Sequence, residues 1–384
     1  MSLRLIIMII FFVIAPVIIL YLETQFSIMK KVGAVLICYA IGLILGNIDI
    51  LPEGADKYQN LMTNLTIPIA LPLILFSIDV KKWFKMAGTA MTSLVIGLFT
   101  VVVMIFAGYF IFRGSIDEIW KVAGMLVGIY TGGTPNLAAM KTALDVDQEL
   151  YIMTHTYEVS LGALYLVFIL SVGQKVFLTI LPPYKKLDNA KMNPAQINTE
   201  ESFDDYSGMF KKGTLLPLLG AFGLSLVIVG VSYALSMLLP EDFSTAGIIL
   251  LITTFGIAFS FVPKIKQIKK TFQTGMYIIL IFCLVVSSMA DLTKLANISF
   301  SLFWYVGLAM FGSHILHIFI AKLFKIDADT VIISGSALIC SPPFVPVIAG
   351  ALKNREIILT GLTVGIAGYA VGNYLGVLIA FILK

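Results

Sequence analysis

TGGTPN at residues 131–136 interrupts an apolar run near its centre, and CSPPFVP at residues 340–346 interrupts a second apolar run in the same way. Proline removes an intrahelical hydrogen bond and Gly-Gly loosens the backbone, so each stretch predicts a helix that is broken near mid-membrane. Unpaired backbone groups are costly in hydrocarbon, and such breaks therefore survive where they line a cavity or bind a ligand. The alternative interpretation is a pair of proline kinks that only shape helix packing.

The composition places the rest of the chain in a bilayer. Of 384 residues, 59% are hydrophobic and 12% are charged, and the mean hydropathy is +0.98. A soluble domain carries about 25% charged residues, so a water-soluble globule is excluded. The net charge of +4 is scattered without a basic stripe, which excludes nucleic acid as a partner. The three cysteines lie in apolar runs without metal-ligand spacing, so we expect no zinc site and no cofactor.

Hydropathy divides the chain into apolar runs, and we predict an all-α polytopic membrane protein with about 11–13 transmembrane helices in contact with the lipid bilayer. The candidate spans are 5–21, 32–47, 61–78, 88–112, 122–144, 150–176, 214–238, 245–262, 274–290, 299–321, 329–352 and 357–383. One polar stretch separates the halves. It gives a first transmembrane repeat unit at 1–182, a polar linker at 183–213 and a second repeat unit at 214–384.

The two units match one another in sequence. Three registers agree in the same order: Gly33 and Gly42 with Gly247 and Gly256, Ser77 and Asp79 with Ser288 and Asp291, and Pro135 with Pro343. Lysines precede the second span, whereas acidic residues precede the eighth span and lysines follow it, so we predict that the units are inverted. Six predicted crossings separate these two spans, although inversion needs an odd number. A re-entrant segment, an extra short crossing near 171–182 or an incomplete seventh span would each resolve this conflict.

The two breaks supply the first candidate site residues. These are Thr131, Gly132, Gly133, Thr134, Pro135 and Asn136 on one helix, and Ser341, Pro342 and Pro343 on the other. Half-helix N-termini offer partial positive charge to an anionic group, and free carbonyls at half-helix C-termini offer ligands to Na⁺. Paired breaks at matching positions of inverted units point to the binding site of a secondary transporter.

Glu158 is the second candidate, because it lies about 12 Å into the sixth span at 1.5 Å per residue. An ionisable residue at that depth is a functional-site hypothesis by default. We expect it either to bind Na⁺ together with Thr131 and Asn136 or to carry a proton. The alternative is a span that begins later and leaves Glu158 at a wet helix end.

Three histidines and one amide complete the candidates. His155 lies one helical turn before Glu158, and His314 and His317 share a face of the tenth span, so all three are candidates for a proton or cation role. A metal site is one alternative, and interhelical hydrogen bonding is another. Asn373 is the amide candidate for holding the facing broken helix, with GxxxG packing by its neighbouring glycines as the other interpretation.

The segments at 128–146, 334–352 and 364–376, together with Asp79 and Asp291, resemble the bacterial membrane family known as domain of unknown function 819. That family is grouped with the cation:proton antiporters and anion transporters, alongside bile-acid:sodium symporters and 2-hydroxycarboxylate transporters. The resemblance implies two inverted repeats in which two broken helices cross within a core domain. It further implies that this core slides as an elevator against a scaffold domain, that each domain is built from both units, and that the protein is a homodimer in the bacterial inner membrane.

We therefore expect a secondary active transporter rather than an enzyme, coupled to Na⁺ or H⁺ and moving a small organic anion or peptide-like solute. A first alternative is a Na⁺/H⁺ antiporter without an organic substrate. A second is an intramembrane metal-dependent enzyme that uses the three histidines and Glu158, and a third is a passive channel.

Overall fold

The computed structural model of the chain describes residues 3–26, 29, 33–77, 88–184, 205–289, 299–354 and 356–384, with the side chains of 36, 241–243, 343, 346 and 347 left aside. Asp79, Asp291 and most of the predicted polar linker lie outside the described residues. Within the described ranges every regular element is helical and no strand occurs.

The principal helices follow the predicted apolar runs. They are α1 (Leu3–Gln25), α2 (Ala34–Gly46), α3 (Ala55–Phe76), α4 (Gly88–Phe112), α5 (Ile119–Ala143), α6 (Gln148–Leu178), α7 (Lys212–Ser236), α8 (Glu241–Ser260), α9 (Thr271–Ser287), α10 (Phe300–Leu323), α11 (Ala328–Ile339), α12 (Val345–Ala351) and α13 (Ile358–Leu383). Seven of them, α1, α3, α4, α6, α7, α10 and α13, are long and apolar enough to cross a membrane, and shorter apolar helices occur in α2, α8, α9 and α11. The all-α polytopic membrane fold is confirmed.

The helix α5 does not run straight through. Its backbone reverses at Gly133, which has φ 67° and ψ −160°. A straight helix of 25 residues would separate its ends by about 37 Å, yet Lys121 Nζ donates to the carbonyl oxygen of Asp145 at 2.8 Å. A Cβ placed on Gly124 would lie 2.5 Å from Leu144 Cδ1. Residues 119–143 therefore form a re-entrant helical hairpin, which we call the first hairpin.

The helices α11 and α12 form the equivalent second hairpin. Between them lies a short 3₁₀ turn, Pro342–Phe344, preceded by Ser341 with φ 74° and ψ 159°. At the base, Asn354 Nδ2 donates to Asp329 Oδ2 at 2.9 Å, so the two arms begin and end side by side. The sequence analysis expected two broken helices that cross, whereas each broken segment here turns back. Arms of roughly 10 to 14 residues rise about 15–21 Å, which reaches the middle of a bilayer core but does not traverse it.

The first hairpin removes one predicted crossing between α2 and α8. Five other helices, α2, α3, α4, α6 and α7, then lie between the start of α2 and the start of α8, which is the odd number that inversion requires when the shorter α2 is counted with the four long helices. Of the three repairs that the sequence left open, the re-entrant segment is the one observed. The packing is exchanged accordingly: α1 packs on α2 and α9, and α7 packs on their counterparts α8 and α3.

The helices fall into two groups by their packing. The scaffold group contains α1–α3 and α7–α9, and the hairpin group contains α4–α6 and α10–α13. The most extensive packing between the groups is of α3 and α8 on α5, α8 on α13, and α9 on α6, and single residues of α2 and α3 add contacts to α6 and α13. Both hairpins therefore belong to one body, which rests on the other along a limited seam.

Candidate functional site

The tips of the two hairpins touch. A Cβ added to Gly133 would overlap Ser341 Oγ, so the reversal of the first hairpin lies directly against that of the second. Thr134 and Ser341 are half-buried at this junction, whereas Gly132 and Pro135 are buried. The site residues predicted on the two breaks are thus brought together, with the side chain of Pro343 outside the described part.

On the first hairpin, Thr131 and Asn136 are both almost fully buried. Thr131 Oγ1 donates back to the carbonyl oxygen of Val127 at 2.7 Å. Asn136 Nδ2 lies 3.3 Å from the carbonyl oxygen of Gly368 and 3.4 Å from that of Tyr369, both on α13. These two side chains hold the break in shape and fasten it to α13. The side-chain oxygen of Asn136 lies beside Gly132, next to the tip.

The glycines of α13 let both hairpins approach its backbone. A Cβ on Gly365 would lie 2.7 Å from Pro342 Cγ of the second hairpin. A Cβ on Gly368 would overlap the carbonyl oxygen of Thr131, and one on Gly372 would overlap the Thr131 and Asn136 side chains. The glycines of α13 therefore serve close packing, as the GxxxG interpretation holds. This helix is the common surface on which the two hairpins pack.

The sequence analysis expected Asn373 to hold the facing broken helix, but its side chain contacts the other helix group. Its Nδ2 donates to Thr253 Oγ1 of α8 at 3.1 Å, across the seam between the two helix groups. Its Oδ1 is buried and accepts no hydrogen bond from the described residues. The reason is helical phase: neighbouring positions of an α-helix point about 100° apart, so Gly372 faces the hairpin and Asn373 faces the scaffold group.

Glu158 is buried, with 8% of its surface exposed, so the interpretation as a wet helix end is wrong. Its carboxylate lies within electrostatic range of Tyr130 on the first hairpin and Cys340 at the tip of the second. His155 Nε2 lies 3.6 Å from Glu158 Oε2, just beyond hydrogen-bond distance. The ring of His155 is packed between Tyr39 of α2 and Tyr151 of α6.

His314 and His317 lie elsewhere, behind the first arm of the second hairpin. Tyr165 Oη is 3.3 Å from His314 Nε2, and Ser93 Oγ is 3.1 Å from His317 Nε2. The same two hydroxyls reach Ser336 and Ser334 on α11 at 3.0 and 2.6 Å. These histidines make interhelical hydrogen bonds, and within the described chain no group of three or more His, Cys, Asp or Glu residues is arranged to hold a metal ion.

One set of residues escaped the sequence analysis. Asp329, only 5% exposed, accepts from Gln174 Nε2 at 2.8 Å with Oδ1 and from Asn354 Nδ2 at 2.9 Å with Oδ2. This cluster clamps the base of the second hairpin to α6. Asp329 looked like an ordinary acidic residue in the first turn of a helix, and only the reversal of the chain brings Asn354 to it.

The arrangement has a defined electrostatic character. The second arm of the first hairpin begins beside Thr134 and that of the second begins at Pro342, so two helix N-termini with partial positive charge meet at the tips. The first arms end there with carbonyl groups, and the Glu158 carboxylate lies within electrostatic range of Cys340. Such a junction offers donors to an anionic group and oxygen ligands to a cation at one place.

Comparison with known proteins gives two matches. The family profile described as "Protein of unknown function (DUF819)" matches residues 8–384. The "Uncharacterized membrane protein YjcL" of Bacillus subtilis (strain 168) is 24% identical over 362 residues, which cover 92% of this chain and 91% of that protein. Both matches extend through the two hairpins and both helix groups.

Proposed function

The chain belongs to the DUF819 family, and from that premise we propose that it is a secondary active transporter in which Na⁺ or H⁺ drives uptake of a small organic anion or peptide-like solute. The observation that carries the proposal is the contact between Gly133 and Ser341, where two re-entrant hairpins of inverted repeats meet tip to tip. A hairpin that enters a bilayer halfway is stable only where its free backbone groups are buried in protein or line a cavity.

The proposed solute site lies at this junction. The helix N-termini beginning at Thr134 and Pro342 favour an anionic group, and Thr131, Asn136 and Glu158 provide oxygen atoms for the coupling cation. The half-buried positions of Thr134 and Ser341 support solute access at the tips rather than deeper in the arms.

The proposed movement is of the elevator type. The two hairpins, α13 and Glu158 all belong to the hairpin group, so the site would travel as one body. Packing across the seam is sparser than packing within either group, which favours sliding over internal rearrangement. The proposal includes residence in the bacterial inner membrane and assembly as a homodimer.

The first test is the thermal stability of the purified chain in Na⁺ and in choline across pH, for the wild type, Glu158→Gln and the control Glu53→Gln. A ligand that binds only the folded state raises the free energy of unfolding, by about 2.7 kcal/mol at a hundredfold excess over Kd, and the melting temperature rises with it. We expect a Na⁺-specific or pH-dependent rise that Glu158→Gln abolishes. The control variant Glu53→Gln should retain this rise, because Glu53 is exposed in the loop before α3.

Uptake then tests the solute. Proteoliposomes with an inward Na⁺ or proton gradient are screened with labelled organic anions and peptides, again with Glu158→Gln. Gradient-dependent accumulation supports the proposal. Exchange of Na⁺ for H⁺ without any accumulated solute would favour the antiporter instead. The absence of both stabilisation and flux would refute transport altogether.

A further inference from the structure

The two repeats can be matched position by position in the scaffold group. The shared glycine spacing of α2 and α8 makes Tyr39 equivalent to Thr253. The ends of α3 and α9 carry the same capping bond, because Ser77 Oγ donates to Ile74 O and Ser288 Oγ donates to Val285 O, each at 2.7 Å. Leu75 is therefore equivalent to Val286.

The hairpin group can be matched in the same way. The helices that follow the hairpins begin at Gln148 and Ile358, and this register aligns Gly162 with Gly372. Ala163 then corresponds to Asn373, and Ser160 corresponds to Ala370.

Equivalent scaffold positions meet these helices at different heights. Leu75 packs against Ala370, whereas its equivalent Val286 accepts, through its carbonyl oxygen, from Gln148 Nε2. Ala370 corresponds to Ser160, which lies twelve positions beyond Gln148. The hairpin group is thus displaced from the symmetric position.

A second pair of contacts gives the same displacement. Thr253 accepts from Asn373 Nδ2 at 3.1 Å, whereas its equivalent Tyr39 donates through Oη to Tyr151 Oη at 2.9 Å. Asn373 corresponds to Ala163, which again lies twelve positions beyond Tyr151. Two independent contacts on different scaffold helices therefore agree.

The exposure of the two equivalent helix faces differs accordingly. On α13, Ala370 and Asn373 are 6% and 0% exposed because the scaffold group covers them. On α6, Ser160 and Ala163 are exposed, and the nearby Val167 is 66% exposed. The face of α6 that corresponds to the covered face of α13 is bare in this state.

We infer that the hairpin group has a second resting position on the scaffold group, in which the contacts of the two repeats are exchanged: Val286 meets Ser160, and Tyr39 meets Ala163. The shift along α6 is twelve residues, or about 18 Å at 1.5 Å per residue. In that position the second hairpin packs on α2 and α9, as the first packs here on α8 and α3. The inference rests on the sliding movement of the proposed function and specifies its end point.

Cysteine crosslinking tests the exchange in the full chain reconstituted in liposomes, with Cys38, Cys283 and Cys340 replaced by alanine. The pair Leu75→Cys with Ala370→Cys reports the present position. Its matched counterpart, Val286→Cys with Ser160→Cys, reports the second. A disulfide needs Cα atoms within about 7 Å, and the twelve-residue shift of about 18 Å along α6 places the second pair beyond that reach here.

We expect both pairs to form intramolecular crosslinks, and fixing the first pair to prevent the second. Crosslinking is irreversible and accumulates even a minor state, so a second pair that stays uncrosslinked while the first reacts completely would overturn the inference. If Val286→Cys with Ser160→Cys fails to fold, Tyr39→Cys with Ala163→Cys decides in the same way. Crosslinking of the second pair without any solute flux would support the second position and refute the transport function. Solute flux without crosslinking of the second pair would support transport and refute the second position.

Discussion

Gly133 and Ser341 occupy equivalent positions of the two repeats, share the same left-handed extended backbone, and touch each other. Gly133 has φ 67° and ψ −160°, and Ser341 has φ 74° and ψ 159°. This region is essentially restricted to glycine, and other residues pay about 1–3 kcal/mol to adopt it. One tip is thus relaxed and the other strained, although both make the same reversal.

Ser341→Gly should therefore stabilise the protein. Relief of the backbone strain exceeds the added chain entropy of glycine, for a net gain of about 1 kcal/mol in the free energy of unfolding. The substitution also removes the hydroxyl from the tip, so solute uptake should fall while the melting temperature rises. Thermal unfolding and uptake measured on the same preparation check this, and an unchanged or lower melting temperature would contradict it.

Gly133→Ala should do the reverse. The new methyl group lies in a backbone region that alanine avoids and overlaps Ser341 Oγ, so we expect a loss of about 1–3 kcal/mol in stability. Combining it with Ser341→Gly removes the overlap but not the strain. A double-mutant cycle of unfolding should show partial rescue, and strict additivity would mean that the tips do not touch.

Gly372→Ala should separate α13 from the first hairpin, because its Cβ would overlap Thr131 Oγ1 and Asn136 Nδ2. We expect a loss of about 1–3 kcal/mol, typical of overpacking. Gly223→Ala on α7 is the matched control, since nothing lies within 4 Å of its Cβ position. That substitution should instead stabilise by about 0.5–1 kcal/mol. Equal effects of the two alanines on unfolding would argue against close packing at Gly372.

Asp329→Asn should loosen the base of the second hairpin. Both carboxylate oxygens accept from amide groups, so an amide at this position leaves one donor facing another, at a cost of about 1–3 kcal/mol. Adding Asn354→Asp restores the donor and acceptor pattern between the two arms. The double variant should recover stability against thermal unfolding, and a further loss would show that Gln174 rather than Asn354 fixes the clamp.

Asp205 gives a pH-dependent prediction outside the membrane. Hydrogen bonds from Ser207 and then from Lys270 lower its pKa to about 2 from the usual 3.8. A depressed folded-state pKa gives stability that is complete above about pH 4 and is lost as the pH falls towards 2. Because the side chain is 44% exposed, the effect should be small.

The measurement compares the melting temperature of the wild type with that of Asp205→Asn. The variant should be slightly less stable near neutral pH, and the two proteins should converge in acid. A difference that persists below about pH 2 would show that the charge of Asp205 is not its cause.

The positions of the two breaks could be predicted from sequence, because proline and paired glycines interrupt a helix wherever they occur. The direction of the chain after each break could not be predicted. The same breakers produce a kink or a reversal, and the choice depends on contacts such as that of Lys121 with Asp145, which are 24 positions apart.

The burial of Glu158 also agrees with the sequence pattern. For Asn373 the pattern failed because GxxxG spacing identifies a contact face without saying which neighbour lies on it. For His314 and His317 the spacing predicted a shared face of α10 but not the neighbours on it, because the contacts with Ser93 and Tyr165 depend on how α10 packs against other helices.

The glycine-lined surface of α13 has a consequence for biosynthesis. The ribosome makes α13 after every other described helix, yet both hairpins bury their arms against it. Until it emerges and inserts, the two hairpins pack on α4 and α6 but lack the surface that they share. The centre can therefore close only after α13 has inserted, and nascent chains arrested before α13 should be substrates for membrane quality-control proteases.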